Sequence, residues 1–340
     1  MVKVAIVILN WNGEKLLRQF LPVVEKYSRR NDTEIFVADN NSSDNSVNYI
    51  KKNHPKVKIV INDKNYGFAE GYNKALQQIE AEYYVILNSD VEVSENWLEG
   101  MISAIEKDEN IAAVQPKIRW FRDKKYFEYA GAAGGLIDRF GYTFCRGRLF
   151  NVYEEDKGQY EEEADIFWAS GACLFIKADL FHEAGGFDAD FFAHMEEIDL
   201  CWRLKNRGYR IVYTPKSTVF HVGGATLKES NPFKTYLNFR NNLFLLYKNL
   251  PKNKIKRIFI TRLILDGVAG LKFLAGFEFR NFYAVLRAHF NFYSNLSKFK
   301  NKRKHNLALN KKYDHKEIYN GSIVYQFFVK GIKEYKQLEH

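Results

Sequence analysis

Three carboxylates stand within four positions in "FFAHMEEIDLCWRL", residues 191–204: Glu196, Glu197 and Asp199. A solvated helix start explains such crowding without chemistry, because acids there complement the helix dipole. The chemical explanation is different. Like charges and apolar walls, here Phe191, Phe192 and Met195, both raise a carboxyl pKa toward the range of a working general base. Asp199 and Arg203, one turn apart, suit an i,i+4 pair. A second polar series follows short β-branched runs: Asn10, Trp11 and Asn12, then Asp39, Asn40 and Asn41, then Asn62 and Asp63, then Asn88, Ser89 and Asp90. Polar loops after strands are common, but four of them along one sheet edge make a rim.

The elements that must carry these residues alternate. Strands are expected at 3–9, 34–38, 57–61, 83–87 and 111–116, with helices at about 13–27, 43–52, 68–80 and 95–107. This pattern predicts an α/β fold whose mainly parallel sheet is covered on both faces. Ligands in such folds lie beyond the carboxyl ends of the strands, which is where the rim falls. Residues 118–165 lose the alternation and read as hairpins and loops over that rim. A strand (172–177), a short helix (178–185), a helix ending at Gly208 and a strand (210–215) follow. From about Asn231 the pattern is helical, over 235–250 and 254–296.

At 340 residues, 46% hydrophobic and 27% charged, the chain is globular. Three widely spaced cysteines, none in a CxxC pair, argue against a disulfide framework or a zinc site and for a reducing compartment. There is no GxGxxG after the first strand and no GKS or GKT loop, which disfavours a dinucleotide-binding oxidoreductase. The six-residue apolar run Val4–Leu9 is too short for a signal-peptide core or a membrane span. Charge divides the chain: residues 1–227 carry 28 Lys and Arg against 34 acids, and residues 228–340 carry 23 against 7. The basic part is expected to meet an anionic surface. Two domains are expected, 1–227 and 228–340, with 338–340 read as a tag remnant.

Seven phrases in order over about residues 3–226 resemble the GT-A-fold inverting glycosyltransferases of family 2, nearest the rhamnosyltransferase and galactofuranosyltransferase-like branch. They are "VILNWNG", "VADNNSSDNS", "NYGFAEGYNKAL", "YVILNSDVEV", "WASGACLFIK", "EAGGFDADFFAHMEEIDLCWRLKNRGYRIVYTP" and "VFHVGGAT"; "YLNFRNNLFLLYK" matches more loosely. The resemblance implies a GT-A fold followed by a basic helical region, and transfer of a sugar from a nucleoside-diphosphate sugar, dTDP- or UDP-linked, to a glycan or lipid-linked acceptor. It makes Glu197 the general base, with Glu196 beside it. The family pattern is Glu-Asp, so the longer Glu197 is a departure that leaves Glu196 or Asp199 as alternatives. A side-chain misplacement of ~1 Å can cost on the order of a hundredfold in rate.

The resemblance places the donor on Asn10, Trp11, Asp39, Asp44, Asn65, Gly67, Asn73, Ser89 and Asp90. Trp11 would stack on the base, Asp39 would bond the pyrimidine, and Asn10 and Asp44 would line the ribose side. It gives Asp90 and His221 as ligands of a divalent cation, Mn²⁺ or Mg²⁺, and Trp168, Ser170, Gly171 and Asp199 as the sugar and acceptor pocket. It also implies bacterial surface polysaccharide synthesis, in the cytoplasm on the inner face of the membrane. There the basic third would bind an anionic surface, with insertion by residues such as Phe259, Leu263, Phe273 and Phe277. The other readings are a non-catalytic nucleotide-sugar or glycan-binding module and a nucleic-acid binder. The latter is disfavoured by the acidic first part and the absence of a matching motif.

Overall fold

A computed structural model describes residues 2–223 and 231–338. In chain order the first half comprises β1 (Val2–Asn10), α1 (Glu14–Tyr27), β2 (Thr33–Asp39), α2 (Ser46–Asn53), β3 (Lys58–Ile61), α3 (Gly67–Leu76), β4 (Ala81–Asn88), β5 (Val91–Val93), α4 (Trp97–Ile105) and β6 (Ile111–Trp120). Short strands follow: β7 (Gly135–Asp138), β8 (Thr143–Cys145), β9 (Arg148–Leu149), β10 (Val152–Tyr153) and β11 (Ala164–Ile166). Then come β12 (Cys173–Lys177), α5 (Ala178–Glu183), α6 (Glu196–Asn206) and β13 (Arg210–His221). The last third holds α7 (Pro232–Asn249), α8 (Lys252–Ala275), α9 (Phe279–Ser294), α10 (Leu296–Leu309), β14 (Ile318–Tyr319) and α11 (Ile323–Phe328).

The run Val4–Ile8 is buried on both faces of β1, as a sheet covered by helices requires. The main sheet has the order β11-β13-β6-β12-β4-β1-β2-β3, with β5 on β13. Its β3-β2-β1-β4 half is parallel, and β12 lies antiparallel between β4 and β6. α1 turns Leu17, Phe20, Leu21 and Val24 to the sheet at helical spacing. The expected strand 210–215 runs on to His221, because a register shift between Thr214 and Thr218 lets the pairing with β6 pass Pro215. The loop-rich region forms a second sheet, β10-β9-β8-β7-β14.

The last third is built onto the first. Leu243, Phe244, Leu245 and Leu246 of α7 join the main core, and Phe244 stacks on Phe299 of α10 at 3.7 Å. β14 pairs in parallel with β7. Part of the excess basic charge is spent inside the fold, since Lys248, Lys298 and Lys302 pair with Asp188 and Asp190. The helix expected over 254–296 is two, broken at 276–278. Phe259, expected at a membrane, instead stacks inward on Phe292 at 5.4 Å, and Phe273 is half-buried. Leu263 and Phe277 are exposed. No helix among the described residues is long and apolar enough to cross a membrane. The expected boundary at 227/228 and residues 339–340 lie outside the described residues.

Candidate active site

Parallel pairing sets Asn10 beside Asp39 and Leu9 beside Asn88, so the polar residues gather at the carboxyl ends of β1, β2 and β4. Asn10 Nδ2 donates to Asp39 Oδ1 (2.9 Å) and to Ser42 Oγ (3.1 Å), and the Ser42 amide donates to Asp39 Oδ2 (2.8 Å). This buried cluster holds Asn10 Oδ1 without a partner. Trp11 projects beside it, 53% exposed, with its indole free for stacking. Ser89 lies close to Gly13 on the same edge.

Asp90 sits in the turn from β4 to β5, and β5 pairs with β13 so that Val91 faces His221. His221 Nε2 lies 3.1 Å from Asp90 Oδ1, and its Nδ1 lies 3.2 Å from Glu128 Oε1; all three side chains are buried. Burial alone would lower the imidazole pKa, but the Glu128 and Asp90 carboxylates outweigh it and hold it at about 10. The imidazole proton thus stands between Nε2 and a carboxylate, where a cation can replace it. Glu128 on Nδ1 is the carboxylate–histidine arrangement that orients a metal-binding imidazole. The donor set therefore fits a divalent cation on Asp90 and His221. No group of three or more His, Cys, Asp or Glu forms a closed metal cage among the described residues, so further ligands would come from substrate and water.

The carboxylates of α6 have three environments. Burial pushes Glu197 up to about 7, against the backbone N–H groups of Ile198 and Gly171. Burial and the neighbouring Glu197 push Glu196 well above its ordinary range. Burial would raise Asp199 too, but Lys248 and Arg203 hold it low. Such divergence separates a proton acceptor from its neighbours. The segment before them is strained: Phe192, His194 and Met195 have φ of +66°, +69° and +73°, uncommon for residues with side chains. α7 clamps this segment from one side. Asn241 Nδ2 donates to the carbonyls of Phe191 (3.0 Å), Ala193 (2.8 Å) and His194 (2.7 Å), and Arg240 Nη2 to those of Asp190 and Phe191 (3.0 Å each). From the donor side, the Phe68 and Ala69 amides of α3 donate to the Phe192 carbonyl.

Several expected site residues are turned elsewhere. Asn73 bonds the Phe187 backbone in both directions (2.8 and 2.9 Å), which ties α3 to the 186–187 turn and removes its amide from a donor. Asp44, exposed on the rim, accepts the Glu14 amide (3.0 Å) and both the amide and hydroxyl of Ser46 at the starts of α1 and α2. Asn65 accepts the Gly67 amide (2.9 Å). Gly67, at φ +76°, is needed for the close approach of Phe192, whose ring would lie 2.6 Å from an added Cβ. Trp168 is buried, its ring against Gly135 and its Nε1 donating to the Leu136 carbonyl (2.9 Å). Ser170 is buried; its amide donates to Gln115 Oε1 and its hydroxyl accepts the Ala172 amide. Asp199, fully buried, bonds Arg203 (2.9 Å), Lys248 (2.7 Å) and Asn249 (2.9 Å), so it is no pocket wall. Gly171 alone of that group faces the base: a Cβ added there would lie 3.9 Å from Glu197 Cβ.

Other participants have no signal in the sequence. Glu128 lies in a loop far from its partner His221. Arg148 and Lys234 both stand over the Tyr129 ring, at 4.3 and 5.1 Å. Both are buried, and neither has an ion-pair partner among the described residues. Asn241 and Arg240 carried only the loose match in "YLNFRNNLFLLYK".

The model of "Glycosyl transferase family 2" matches residues 5–184, more than half of the chain. The chain is 25% identical over 223 residues to N-acetylglucosaminyl-diphospho-decaprenol L-rhamnosyltransferase of Mycobacterium tuberculosis (strain ATCC 25618 / H37Rv), a match covering 60% of this chain and 71% of that one. Among solved structures it resembles GalNAc-T7 with UDP, GalNAc and Mn²⁺, at TM-score 0.57 and 19% identity, over 73% of this chain and 48% of that one. It also resembles mannosyltransferase PcManGT from Pyrobaculum calidifontis in complex with GDP-Man and Mn²⁺, at TM-score 0.53 and 16% identity, over 92% and 81%. These likenesses show the GT-A fold. Because the family model spans more than half of the chain and the fold agrees with it, the chain belongs to glycosyl transferase family 2 and is a glycosyltransferase.

Proposed function

We propose that the protein is a metal-dependent inverting transferase that moves a sugar from a dTDP- or UDP-sugar to a glycan or lipid-linked acceptor. Glu197 takes the proton of the acceptor hydroxyl as that oxygen bonds to the anomeric carbon. The bond from that carbon to the nucleoside diphosphate breaks on the opposite face. The observation that carries this reading is the contrast on α6: burial pushes Glu197 up to about 7, burial and the neighbouring Glu197 push Glu196 up as well, and Lys248 and Arg203 hold Asp199 low in its own ion network. Asp90 and His221 would hold the cation, which when bound would supply Lewis-acid stabilisation of the departing diphosphate. Asn10, Trp11, Asp39 and Ser89 line the nucleoside side, and Arg148 and Lys234 offer unneutralised charge to phosphate oxygens.

The mycobacterial relative's name gives it a diphospho-decaprenol-linked substrate. This supports a lipid-linked acceptor here, bacterial surface polysaccharide synthesis, and work at the inner face of the cytoplasmic membrane. Family membership does not favour the reading as a non-catalytic binding module. The test is donor hydrolysis across dTDP-, UDP- and GDP-sugars, with and without Mn²⁺. Turnover of one donor class that depends on Mn²⁺ is expected, and metal-independent binding without turnover of any donor would refute the reading.

A further inference from the structure

α8 is built inside out. Arg262 and Asp266 are 2% and 0% exposed, and they join Tyr142 and His289 of α9 in a buried cluster. Arg262 Nη2 lies 3.0 Å from Asp266 Oδ1, His289 Nε2 lies 3.1 Å from Asp266 Oδ2, and the Tyr142 hydroxyl donates to Asp266 Oδ1 at 3.3 Å. A second set of side chains, all apolar, points the other way. Ile260, Ile264, Val268 and Leu271 recur along one face of α8 and are each more than half exposed. Tyr283 and Phe290 continue the patch on α9.

The turn between the helices strengthens the pattern. The Glu278 amide donates to the Phe273 carbonyl and the Phe277 amide to that of Leu274, the closure in which a left-handed glycine is favoured. Phe277 holds that place instead, at φ +58° and 81% exposed. A bulky side chain is unfavourable there, and its ring projects into solvent. Monomeric soluble surfaces rarely carry an apolar band of this extent.

We propose that the α8–α9 hairpin docks on an anionic lipid bilayer, lying in the plane of the interface with Phe277 immersed and its basic residues at the headgroups. Lys256, Arg257, Lys272, Arg280 and Arg287 are exposed around the band, against one exposed acid in the hairpin, Glu278. A second copy brought against this face by a two-fold would set these like charges together. An anionic surface meets all of them with one sign. The polar cluster inside the hairpin keeps its charged groups out of the hydrocarbon. Tyr236 and Leu237 of α7 pack on Ala284 and Ala288 of α9, and α7 holds the segment before Glu197. A docked hairpin therefore brings the base to headgroup level, and this use of the surface rests on the lipid-linked acceptor proposed above.

The test is co-sedimentation of the full chain with phosphatidylcholine vesicles containing about a third phosphatidylglycerol, against pure phosphatidylcholine, at low and high salt. Binding is expected to require the anionic lipid and to weaken with salt. Leu271→Ser with Phe277→Ser should lower the partition coefficient on the order of 100-fold while leaving donor hydrolysis unchanged. The three native cysteines are buried, so Phe277→Cys can be labelled with an environment-sensitive fluorophore, whose emission should shift to the blue on anionic vesicles. Absence of vesicle binding at low salt would overturn the proposal. So would a dimer in sedimentation velocity that the double variant dissociates, which would assign the face to a second copy. Donor hydrolysis without vesicle binding refutes the docking surface alone; vesicle binding without hydrolysis of any donor refutes the transferase reading instead.

Discussion

Glu197→Gln keeps the shape of the side chain and its hydrogen-bonding capacity while removing the proton acceptor. With a carboxyl pKa of about 7, half of the wild-type molecules hold an ionised Glu197 at neutral pH. kcat/KM should rise about tenfold per pH unit below 6 and level off above 8. The variant should lose ~10²-fold or more in kcat, keep donor binding within about a few-fold, and lose that pH limb. The same burial has a stability consequence of definite sign. A folded-state pKa raised from 4.5 to about 7 stabilises the fold fully below pH 4.5, and this is lost as pH rises through 7. Above that, ionising the buried carboxyl costs roughly 3 kcal/mol, which the amide avoids. The variant should therefore be inactive yet more heat-stable than wild type at pH 8, with the gap closing by pH 4.5. Steady-state rates and thermal melts between about pH 4 and 9 measure both. A variant with a wild-type rate and the wild-type pH limb would move the base to Glu196 and refute the reasoning.

Asp90→Ala and His221→Ala should each abolish the Mn²⁺-dependent part of nucleoside-diphosphate binding measured by calorimetry; an unchanged metal dependence in His221→Ala would make His221 structural. Glu128→Gln, which leaves both ligands in place, should weaken the apparent Mn²⁺ affinity by about 10- to 100-fold, read from activation curves. Asn73→Ala should cost about 1–3 kcal/mol of stability by leaving the Phe187 backbone unpaired, while donor affinity in the same calorimetry stays unchanged.

Strand–helix alternation was legible because the first half is parallel and locally regular: the expected 3–9 and 34–38 fall inside β1 and β2. What periodicity misses is short or passes proline. β5 has three residues, and β13 continues beyond Pro215 only because its register shifts there. At the site, residue type and element were readable, but the direction of a side chain was not. Asn73 and Asp44 stand in donor-binding phrases yet spend their oxygens on backbone amides of their own fold. Trp168 turns to Gly135 because that glycine leaves room for its ring. Glu128 reaches His221 only through the path of an irregular loop, which no spacing rule anticipates. The hairpin was hidden in the same way: its basic and apolar composition was visible, but which residues face outward depended on the buried Arg262–Asp266 cluster.

The central claim is direct displacement at the anomeric carbon, with the base and the leaving diphosphate on opposite faces. Donor hydrolysis followed by proton NMR from the first turnovers tests it without knowledge of the acceptor, because water takes the acceptor's place. The released sugar is expected to appear first with the anomeric configuration opposite to that of the donor; first appearance with the donor's own configuration would contradict the claim.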